Sequence, residues 1–524
     1  MIFGQILHSL ENNNQSTIEF YRHKNKIKKK FSDVAYDVKK VIEYLKDLNI
    51  ELLDRIGINS ENCYEYVLLD LACLHLGLTS VHFHKNHSNC EFTEIMEKHT
   101  LKFLFHDDII YDDTVTNNNI FLIDNLLQNV DSVDISDKSY PFQYNEKFTI
   151  VFSSGTTGEP KGMWILSDGI EEFCSCFIKR YKLTSEDKIL NTLPFSIITS
   201  RMYLYSCILG GINIVFSYTE ELSNSLQLYK PTFFQSVPYL FEGLYKSFQG
   251  FIKSSSYKYI CYKLFCILNP LFPDSLKTLL QRKLFKEIHS FWGGKMRILA
   301  TGSAPINKKV LIFFNNVGIP LYEAYGVTEI GIIATNIPGN FKIGSVGRIF
   351  GNKEIIFDKN KQILIKTRHP FSSGYLDDFD ENNSHVFRDD GLMATGDVGY
   401  LDKEGYLFLN GRIKDIIILL NGNKIFPNKA EIELENSNAI EQCALFGDNK
   451  PYLIAVIVIK KNIDYNSIDN VIKKFNETSG DCQIKNFLII QDGFSLENGL
   501  LSLNMKKNRI SIYQKYKDQI DKLY

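Results

Sequence analysis

The chain has 524 residues, of which 44% are hydrophobic and 23% are charged, and its formal net charge at pH 7 is −2. This composition is typical of globular proteins and excludes an intrinsically disordered chain. The length indicates more than one domain, and the balance of acidic and basic residues disfavours a dedicated nucleic-acid-binding protein.

The cysteines and the N-terminal segment bear on the cellular compartment. The ten cysteines are scattered and form no CxxC pair, which is typical of reduced thiols and not of a disulfide framework or a zinc ribbon. The N-terminal residues MIFGQILHSL lack the basic start and the small-residue cleavage site of a signal peptide. We therefore expect a cytoplasmic protein.

Short apolar runs, rich in β-branched residues and bounded by turn signals, predict buried strands along the chain. The clearest of these runs are residues 55–58, 148–152, 212–216 and 296–300. Helical patterns lie between them, and the first covers residues 31–50, with Ser32 as the expected cap. This alternation predicts an α/β fold with mostly buried strands.

Three segments raise the question of contact with membranes or other charged surfaces. Residues 67–78 are interrupted by two polar residues and fall short of the roughly 20 residues that span a bilayer, so we expect a buried helix. Residues 257–272 contain two lysines and a proline and should not span either, which leaves docking on a membrane surface as an alternative. The basic stretch RHKNKIKKK (22–30) is predicted to form a solvated turn.

A second folding unit begins after Asn410. Residues 411–435 have a strand-turn-helix pattern, residues 451–461 form a strand-like run, and residues 469–477 have a helical pattern. We therefore predict an N-terminal domain of residues 1–410 and a small α+β C-terminal domain of residues 411–524.

The most informative segment is the loop that follows the strand predicted at 148–152. Its sequence, SSGTTGEPKG (153–162), combines small residues whose backbone N–H groups can approach an anion with hydroxyl donors and the charge of Lys161. The segment therefore predicts a phosphate-binding loop. It is not a Walker loop, because Pro160 replaces the second glycine and Gly162 replaces the magnesium-binding Ser or Thr, so a P-loop NTPase is disfavoured.

This loop resembles the phosphate-binding loop of the adenylate-forming superfamily, which includes acyl-CoA synthetases, luciferases and the adenylation domains of peptide synthetases. Further matches follow in the family's order over essentially the whole chain: LYEAYGVTEI (321–330), GSVGR (344–348), TGDVGYLDKEGYLFLNGR (395–412) and IKDIIILLNGNKIFPNKAEIE (413–433). The resemblance implies an α/β fold with a large N-terminal body of several subdomains, with mixed sheets and helices, and a small, mobile α+β C-terminal domain.

The resemblance also implies which residues bind the nucleotide. Within the YGVTE motif, Tyr325 can stack on adenine, Thr328 can hydrogen-bond a phosphate oxygen, and Glu329 supplies a carboxylate oxygen for Mg²⁺. Asp397 can accept hydrogen bonds from both ribose hydroxyls, and Arg412 can reach ribose or phosphate. The remaining nucleotide-binding positions implied by the family are Ser153, Ser154, Gly155, Thr156, Thr157, Gly158, Lys161, Gly302, Ser303, Ala304 and Gly326.

The C-terminal segment ENGLLSLNMKKNRISIYQKYKDQI (497–520) resembles the tail of long-chain fatty acyl-CoA synthetases, in which a lysine contacts the substrate carboxylate and the α-phosphate. Counting from Gly499, the family's lysine corresponds to Lys506 and not to its neighbour Lys507. The resemblance implies that Lys506, Thr328 and Glu329 are the catalytic residues. The family further implies that the small domain rotates about Lys414 between two half-reactions.

Other positions bear on the acid substrate. Residues 235–248, residues 283–306 and the C-terminal tail resemble long-chain enzymes more than acetate-activating or aryl-acid-activating ones. Amino-acid activation is disfavoured because Ser196 stands where amino-acid-activating relatives usually place an aspartate. Separately, Ile197 stands where the family often has an aromatic or histidine gate to the acyl pocket, so the sequence departs from the family at this gate. A zinc site is also disfavoured, although potential ligands cluster at His82, His84, His87 and Cys90.

The resemblance predicts an ATP-dependent acid–thiol ligase that forms an acyl-adenylate and then an acyl thioester with CoA. The implied substrates and cofactors are a medium- or long-chain fatty acid, ATP, Mg²⁺ and CoA. Two alternatives are an acyl-AMP ligase that loads the phosphopantetheine of a carrier protein and a non-catalytic paralogue that binds nucleotide. The intact charged residues of the motifs argue against the second alternative.

Overall fold

The computed structural model describes residues 2–22, 25–84, 92–107, 119–136, 138–153, 161–376, 381–460, 463–501 and 507–524. The elements before residue 166 are α1 (Ile6–Glu11), β1 (Thr17–Arg22), β2 (Asn25–Lys30), α2 (Phe31–Asp47), β3 (Arg55–Asn59), α3 (Tyr64–His75), β4 (Thr79–His82), α4 (Phe92–Lys98), β5 (Phe103–His106), β6 (Ile120–Leu122), α5 (Leu126–Val130), β7 (Thr149–Ser153) and β8 (Lys161–Ile165). Those up to residue 335 are α6 (Ser167–Tyr181), β9 (Lys188–Asn191), α7 (Ile198–Gly210), β10 (Asn213–Phe216), α8 (Leu222–Tyr229), β11 (Phe233–Ser236), α9 (Pro238–Lys253), α10 (Ser256–Leu268), α11 (Asp274–Leu284), α12 (Lys286–Phe291), β12 (Ile298–Thr301), α13 (Lys308–Asn316), β13 (Leu321–Val327) and β14 (Gly331–Thr335). Those that follow are β15 (Arg348–Ile349), β16 (Lys353–Phe357), β17 (Gln362–Thr367), β18 (Ser372–Tyr375), α14 (Glu381–Val386), β19 (Met393–Leu401), β20 (Leu407–Arg412), β21 (Ile417–Ile418), β22 (Lys424–Ile425), α15 (Pro427–Glu435), β23 (Ile440–Phe446), β24 (Leu453–Ile459), α16 (Tyr465–Thr478), β25 (Ile484–Ile490) and α17 (Arg509–Asp521).

Three sheets form the body of the protein. A nine-stranded sheet has the order β15-β14-β13-β12-β11-β9-β10-β1-β2 and is parallel from β13 to β1. A seven-stranded sheet has the order β18-β8-β7-β4-β3-β5-β6, and a four-stranded sheet has the order β16-β17-β19-β20. The strands predicted from apolar runs are β3, β7, β10 and β12, whose side chains are mostly buried because helices cover the sheets.

A buried polar cluster joins helices and strands in the largest core. The guanidinium of Arg201 lies 3.3 Å from an Asp70 carboxylate oxygen and donates a hydrogen bond of 2.9 Å to Thr149 Oγ1. The Tyr205 hydroxyl donates to the other Asp70 oxygen at 2.6 Å, and His82 Nε2 lies 3.4 Å from the first. Burial and the charge of Arg201 lower the pKa of His82 to about 4, so this imidazole is neutral at pH 7.

Two local expectations near the N-terminus are wrong. Helix α2 begins at Phe31, because the Asp33 carboxylate accepts a hydrogen bond from the backbone N–H of Lys30, and Ser32 therefore lies inside the first turn and is not the cap. The basic stretch is not a turn, because most of it forms β2, which pairs antiparallel with β1 at the edge of the nine-stranded sheet. Lysines on an exposed edge strand discourage pairing with other chains.

The two apolar segments have different environments. Residues 67–78 lie largely in α3, whose side chains are buried as expected. Residues 257–272 lie largely in α10, which exposes much of its apolar surface. Among the helices of the described residues, none is long and apolar enough to cross a membrane.

The C-terminal part contains the β21–β22 hairpin and the three-stranded sheet β23-β24-β25, with helices α15, α16 and α17. Strand β24 and helix α16 correspond to the patterns predicted at 451–461 and 469–477, whereas β23 and β25 were not predicted. Strand β20 ends at Arg412, so the predicted boundary between residues 410 and 411 falls within this strand. The division into 1–410 and 411–524 stays a prediction.

Candidate active site

The loop after β12 packs against β13 at the carboxyl edge of the nine-stranded sheet. A Cβ atom on Gly302 would lie 2.7 Å from the carbonyl oxygen of Ala324, so only glycine permits this approach. Ser303 follows in the left-handed region, with φ of 71°, a strained conformation that is common at functional sites. Gly302, Ser303 and Ala304 therefore lie beside the strand that contains Tyr325, at the edge where open α/β sheets bind ligands.

The YGVTE motif forms the end of the β13–β14 hairpin. The two strands pair with a bulge between Tyr325 and Gly326, and a Cβ atom on Gly326 would lie 2.3 Å from the carbonyl oxygen of Gly331. This contact requires glycine at 326. The hairpin turn then presents Thr328, which is exposed, and Glu329, which is half-buried.

Tyr375 connects Glu329 to the strand that follows the phosphate loop. Its hydroxyl donates a hydrogen bond to the Glu329 carboxylate. Tyr375 also pairs with Met163 on β8. Strand β8 begins at Lys161, and Lys161 pairs with Ser153 on β7, so these two residues mark the ends of the phosphate loop. The hydrogen bond therefore brings the hairpin turn close to the ends of the phosphate loop.

Tyr325, Asp397 and Arg412 come together from three strands. The Tyr325 hydroxyl donates a hydrogen bond of 2.6 Å to one Asp397 carboxylate oxygen, and Arg412 Nε lies 3.3 Å from the other. Asp397 and Arg412 face each other across the β19–β20 pair. Burial and the adjacent Asp397 carboxylate raise the pKa of Tyr325, so its hydroxyl remains a donor.

Glu323 is a further candidate that sequence reasoning missed. It pairs with Thr301 across β13 and β12, and within the described part of the chain neither Glu323 Oε2 nor Thr301 Oγ1 has a hydrogen-bond partner. Burial raises the pKa of Glu323 to about 8, so the carboxyl group is protonated at pH 7. The available signal was an acidic residue inside an otherwise apolar strand, two residues before Tyr325.

The Glu323→Gln variant is expected to gain stability over wild type as the pH rises. Between the usual pKa of 4.5 and about 8, the unfolded carboxyl loses its proton while the folded one keeps it. The unfolded state then binds fewer protons, so this group lowers wild-type stability with rising pH, by an amount on the order of 5 kcal/mol across the whole range. Urea unfolding of both proteins from about pH 4 to pH 9 measures the difference.

Glu354→Gln, at an exposed carboxylate on β16, is the matched control and should show no such trend. A stability difference between Glu323→Gln and wild type that does not change with pH would contradict the assigned protonation of Glu323.

Lys507 is occupied within the C-terminal part of the chain. Its ammonium contacts Glu431 at 3.0 Å, Glu435 at 2.7 Å and the carbonyl oxygen of Cys443 at 2.6 Å. Arg509 binds both oxygens of the Glu431 carboxylate. Although burial opposes it, the charges of Lys507 and Arg509 lower the pKa of Glu431 to about 2. Lys507 is thus engaged in ion pairs within the C-terminal part, and the choice of Lys506 as the catalytic lysine stays a prediction.

Several predicted site residues lie outside the described part of the chain, and their roles stay predictions: Ser154, Gly155, Thr156, Thr157, Gly158 and Lys506. His87 and Cys90, from the disfavoured zinc site, also lie outside it. The two described histidines of the supposed zinc cluster have different partners. His82 belongs to the buried polar cluster, and His84 Nδ1 lies 2.9 Å from Ser196 Oγ. Lys414 lies in the short helical turn Ile413–Asp415, directly after β20.

Two family models match the chain. The model of the AMP-binding enzyme covers residues 11–368, and the model of the AMP-binding enzyme C-terminal domain covers residues 414–524. The chain belongs to the AMP-binding enzyme family. The motif resemblance to adenylate-forming enzymes is thereby confirmed.

Relatives of this AMP-binding enzyme include long-chain-fatty-acid–CoA ligases. ACSBG2 of Xenopus laevis is 28% identical over 452 residues, which cover 72% of this chain and 60% of the relative. FadD15 of Mycobacterium tuberculosis is 23% identical over 558 residues, which cover 94% of this chain and 92% of the relative. The chain thus spans less than two thirds of the first relative and nearly all of the second.

Solved structures resemble this AMP-binding enzyme over its whole length. o-Succinylbenzoate CoA synthetase (MenE) from Bacillus subtilis, in complex with OSB-AMP, has a TM-score of 0.74 at 19% identity and covers 97% of both chains. ATP-bound MatB from Rhodopseudomonas palustris has a TM-score of 0.77 at 18% identity and covers 99% of both. The likeness confirms the predicted fold, an α/β body with a small C-terminal domain.

Within this AMP-binding enzyme, Glu329 fits the requirements of a magnesium ligand. Mg²⁺ prefers one or two protein carboxylates together with phosphate oxygens and water. The half-buried Glu329 carboxylate lies at the hairpin turn, oriented by Tyr375, near the ends of the phosphate loop. One carboxylate at such a position suits an ion that is shared with a bound triphosphate.

Proposed function

We propose that the protein is an AMP-forming acid–thiol ligase that converts a medium- or long-chain fatty acid into its acyl-CoA thioester. The observation that carries the proposal is the convergence of Tyr325, Asp397 and Arg412 beside the Glu329 hairpin in a chain of the AMP-binding family. The relatives named as long-chain-fatty-acid–CoA ligases support the class of acid and the thiol acceptor.

Asp397 and Arg412 are suited to hold the ribose of ATP. A carboxylate has about four lone-pair sites on its two oxygens, so each Asp397 oxygen can accept a ribose hydroxyl in addition to its present partner. Tyr325 and Arg412 fix the carboxylate in position before the nucleotide arrives. Such preorganisation lowers the entropic cost of binding.

Residues of the hairpin and of the phosphate loop act in the first half-reaction together with Lys506 of the C-terminal segment. A carboxylate oxygen of the fatty acid attacks the α-phosphorus of ATP in line, and the bond from this phosphorus to pyrophosphate breaks. Lys161, Thr328 and Lys506 stabilise the charge that develops on the phosphate oxygens. Mg²⁺ held by Glu329 would supply further neutralisation of this charge.

The second half-reaction transfers the acyl group. The CoA thiolate attacks the carbonyl carbon of the acyl-adenylate, the carbon–sulfur bond forms, and AMP leaves with the electrons of the broken carbon–oxygen bond. A rotation of the C-terminal domain about Lys414 would withdraw Lys506 between the two steps, as hinged domains do in other enzymes.

ATP–pyrophosphate exchange with a panel of acids tests the proposed function. We expect exchange with long-chain fatty acids and little with acetate or amino acids. Glu329→Gln should lower the exchange rate by about 10² to 10³, since it removes a preorganised charge from the site. Glu354→Gln, at an exposed position on β16, is the matched control and should leave the rate unchanged.

The possible results of this assay separate the competing functions. The absence of exchange with every acid would contradict the ligase proposal and would favour a non-catalytic nucleotide-binding protein. Exchange without formation of acyl-CoA would instead indicate a carrier protein as the acceptor.

A further inference from the structure

Helix α10 exposes a continuous apolar face. Six apolar side chains follow one another at intervals of one, three or four residues, which places them on one side of the helix and of the turn that follows it. Their exposed fractions range from 42% for Leu268 to 78% for Leu271. We call these six residues the α10 patch: Tyr257, Ile260, Leu264, Ile267, Leu268 and Leu271.

The opposite face of α10 fixes the helix to the protein. Phe265 is only 4% exposed and contacts the Phe285 ring at 5.6 Å between centroids, and Tyr262 contacts the same ring at 6.0 Å. Helix α10 therefore already packs on the core through its opposite face, and the α10 patch is the face that remains exposed. A helix that is apolar on both faces normally has a partner on each, so the α10 patch indicates a surface that is covered in use.

The surroundings of the α10 patch are basic. Residues 242–287 contain eight lysines and arginines and three acidic residues, which gives this segment a net charge of +5 in a chain of −2. One of the acidic residues, Glu287, pairs with Lys258 of α10 at 3.2 Å. No acidic residue occurs between 254 and 273. Lys253 and Lys263 are both exposed, the first just before α10 and the second beside the patch.

We propose that the α10 patch docks the protein onto the surface of an anionic phospholipid bilayer. An amphipathic helix of this kind lies in the plane of the interface, with its apolar side chains in the acyl boundary and its lysines among the headgroups. Each lysine near an anionic surface strengthens binding, because it is attracted to the negative surface potential. The patch is too short to span the bilayer, which agrees with interfacial docking.

A second copy of the chain is a poorer occupant of the α10 patch. Self-association through this surface would bring two segments of charge +5 together, and like charges across an interface disfavour binding. An anionic bilayer instead offers both an apolar layer and the opposite charge.

Vesicle co-sedimentation of the full chain tests the proposal, with no ATP or fatty acid present. The protein should bind vesicles of phosphatidylcholine mixed with phosphatidylserine, and less well those of phosphatidylcholine alone. The variant I260S/L264S/I267S should bind the mixed vesicles at least about tenfold more weakly, because less apolar surface enters the bilayer. Lys253→Gln with Lys263→Gln should lower the affinity about tenfold and reduce its dependence on salt.

The matched control is L52S/L420S/I510S, which replaces three exposed aliphatic side chains that lie outside α10. It should bind the mixed vesicles like wild type, and all variants should keep the thermal midpoint of wild type. Equal vesicle binding by wild type and the patch variant would overturn the proposal, as would the absence of wild-type binding. A dimer that dissociates in the patch variant would identify a second copy as the occupant. Because vesicle binding is measured without catalysis, its failure and the failure of the proposed ligase activity are separate results.

Discussion

Replacing Lys506 with alanine is expected to lower the rate of ATP–pyrophosphate exchange by about 10² to 10³, which corresponds to roughly 2.7 to 4 kcal/mol of transition-state stabilisation. The reason is the loss of a positive charge from the phosphate oxygens during attack on the α-phosphorus. The rate is measured with saturating long-chain fatty acid and ATP on protein that has been shown to be folded.

The adjacent Lys507→Ala variant is the informative control. It removes an ammonium that contacts the buried Glu431, Glu435 and a backbone carbonyl, so it should destabilise the C-terminal part by about 3 kcal/mol. Thermal unfolding measures this loss, and ATP–pyrophosphate exchange at a temperature where the variant is folded should remain much closer to wild type. A Lys506→Ala variant that exchanges at the wild-type rate would contradict the assignment of the catalytic lysine.

Replacing Asp70 with asparagine is expected to lower the free energy of unfolding by about 3 to 5 kcal/mol, because it leaves the fully buried Arg201 without its charged partner. The exposed Asp131→Asn is the matched control and should change stability by less than about 0.5 kcal/mol. Urea unfolding of both variants measures the difference.

A double variant distinguishes the charge pair from the packing of the same site. Asp70→Leu combined with Arg201→Met removes both charges, so it should lose less stability than the sum of the two single losses. Additive losses would show that Asp70 and Arg201 do not stabilise each other.

Much of the fold was predictable because its strands are covered on both sides. Such strands appear in the sequence as continuous apolar runs, and the runs at 148–152 and 296–300 correspond to β7 and β12 with shifts of one or two residues. Strand β2 escaped prediction because lysines occupy most of its positions, and only Ile27 interrupts them with an apolar side chain. The lysine-rich sequence of β2 therefore gave no indication that this segment pairs with β1.

The site was predictable where a residue belongs to a motif and not where it depends on a tertiary contact. The YGVTE and TGDVG motifs identified Tyr325 and Asp397, but their mutual hydrogen bond joins strands of two sheets. Tyr375 contacts Glu329 from a separate strand, and no local pattern marks it. The sequence of α10 is apolar around most of its circumference, so the contacts of Phe265 and Tyr262 with Phe285 are needed to tell which face is exposed.

The nine-stranded sheet also sets an order of events during synthesis. Strand β1 lies between β2 and β10, and Ile18 pairs with Ile214. At roughly 5 to 20 residues per second, a ribosome needs about 10 to 40 s to make the chain between these two residues. During that interval the side of β1 that later pairs with β10 is unpaired, and two antiparallel strands alone are marginally stable in water. A nascent chain that stops before β10 thus has an N-terminal strand pair without its neighbouring strand in the sheet.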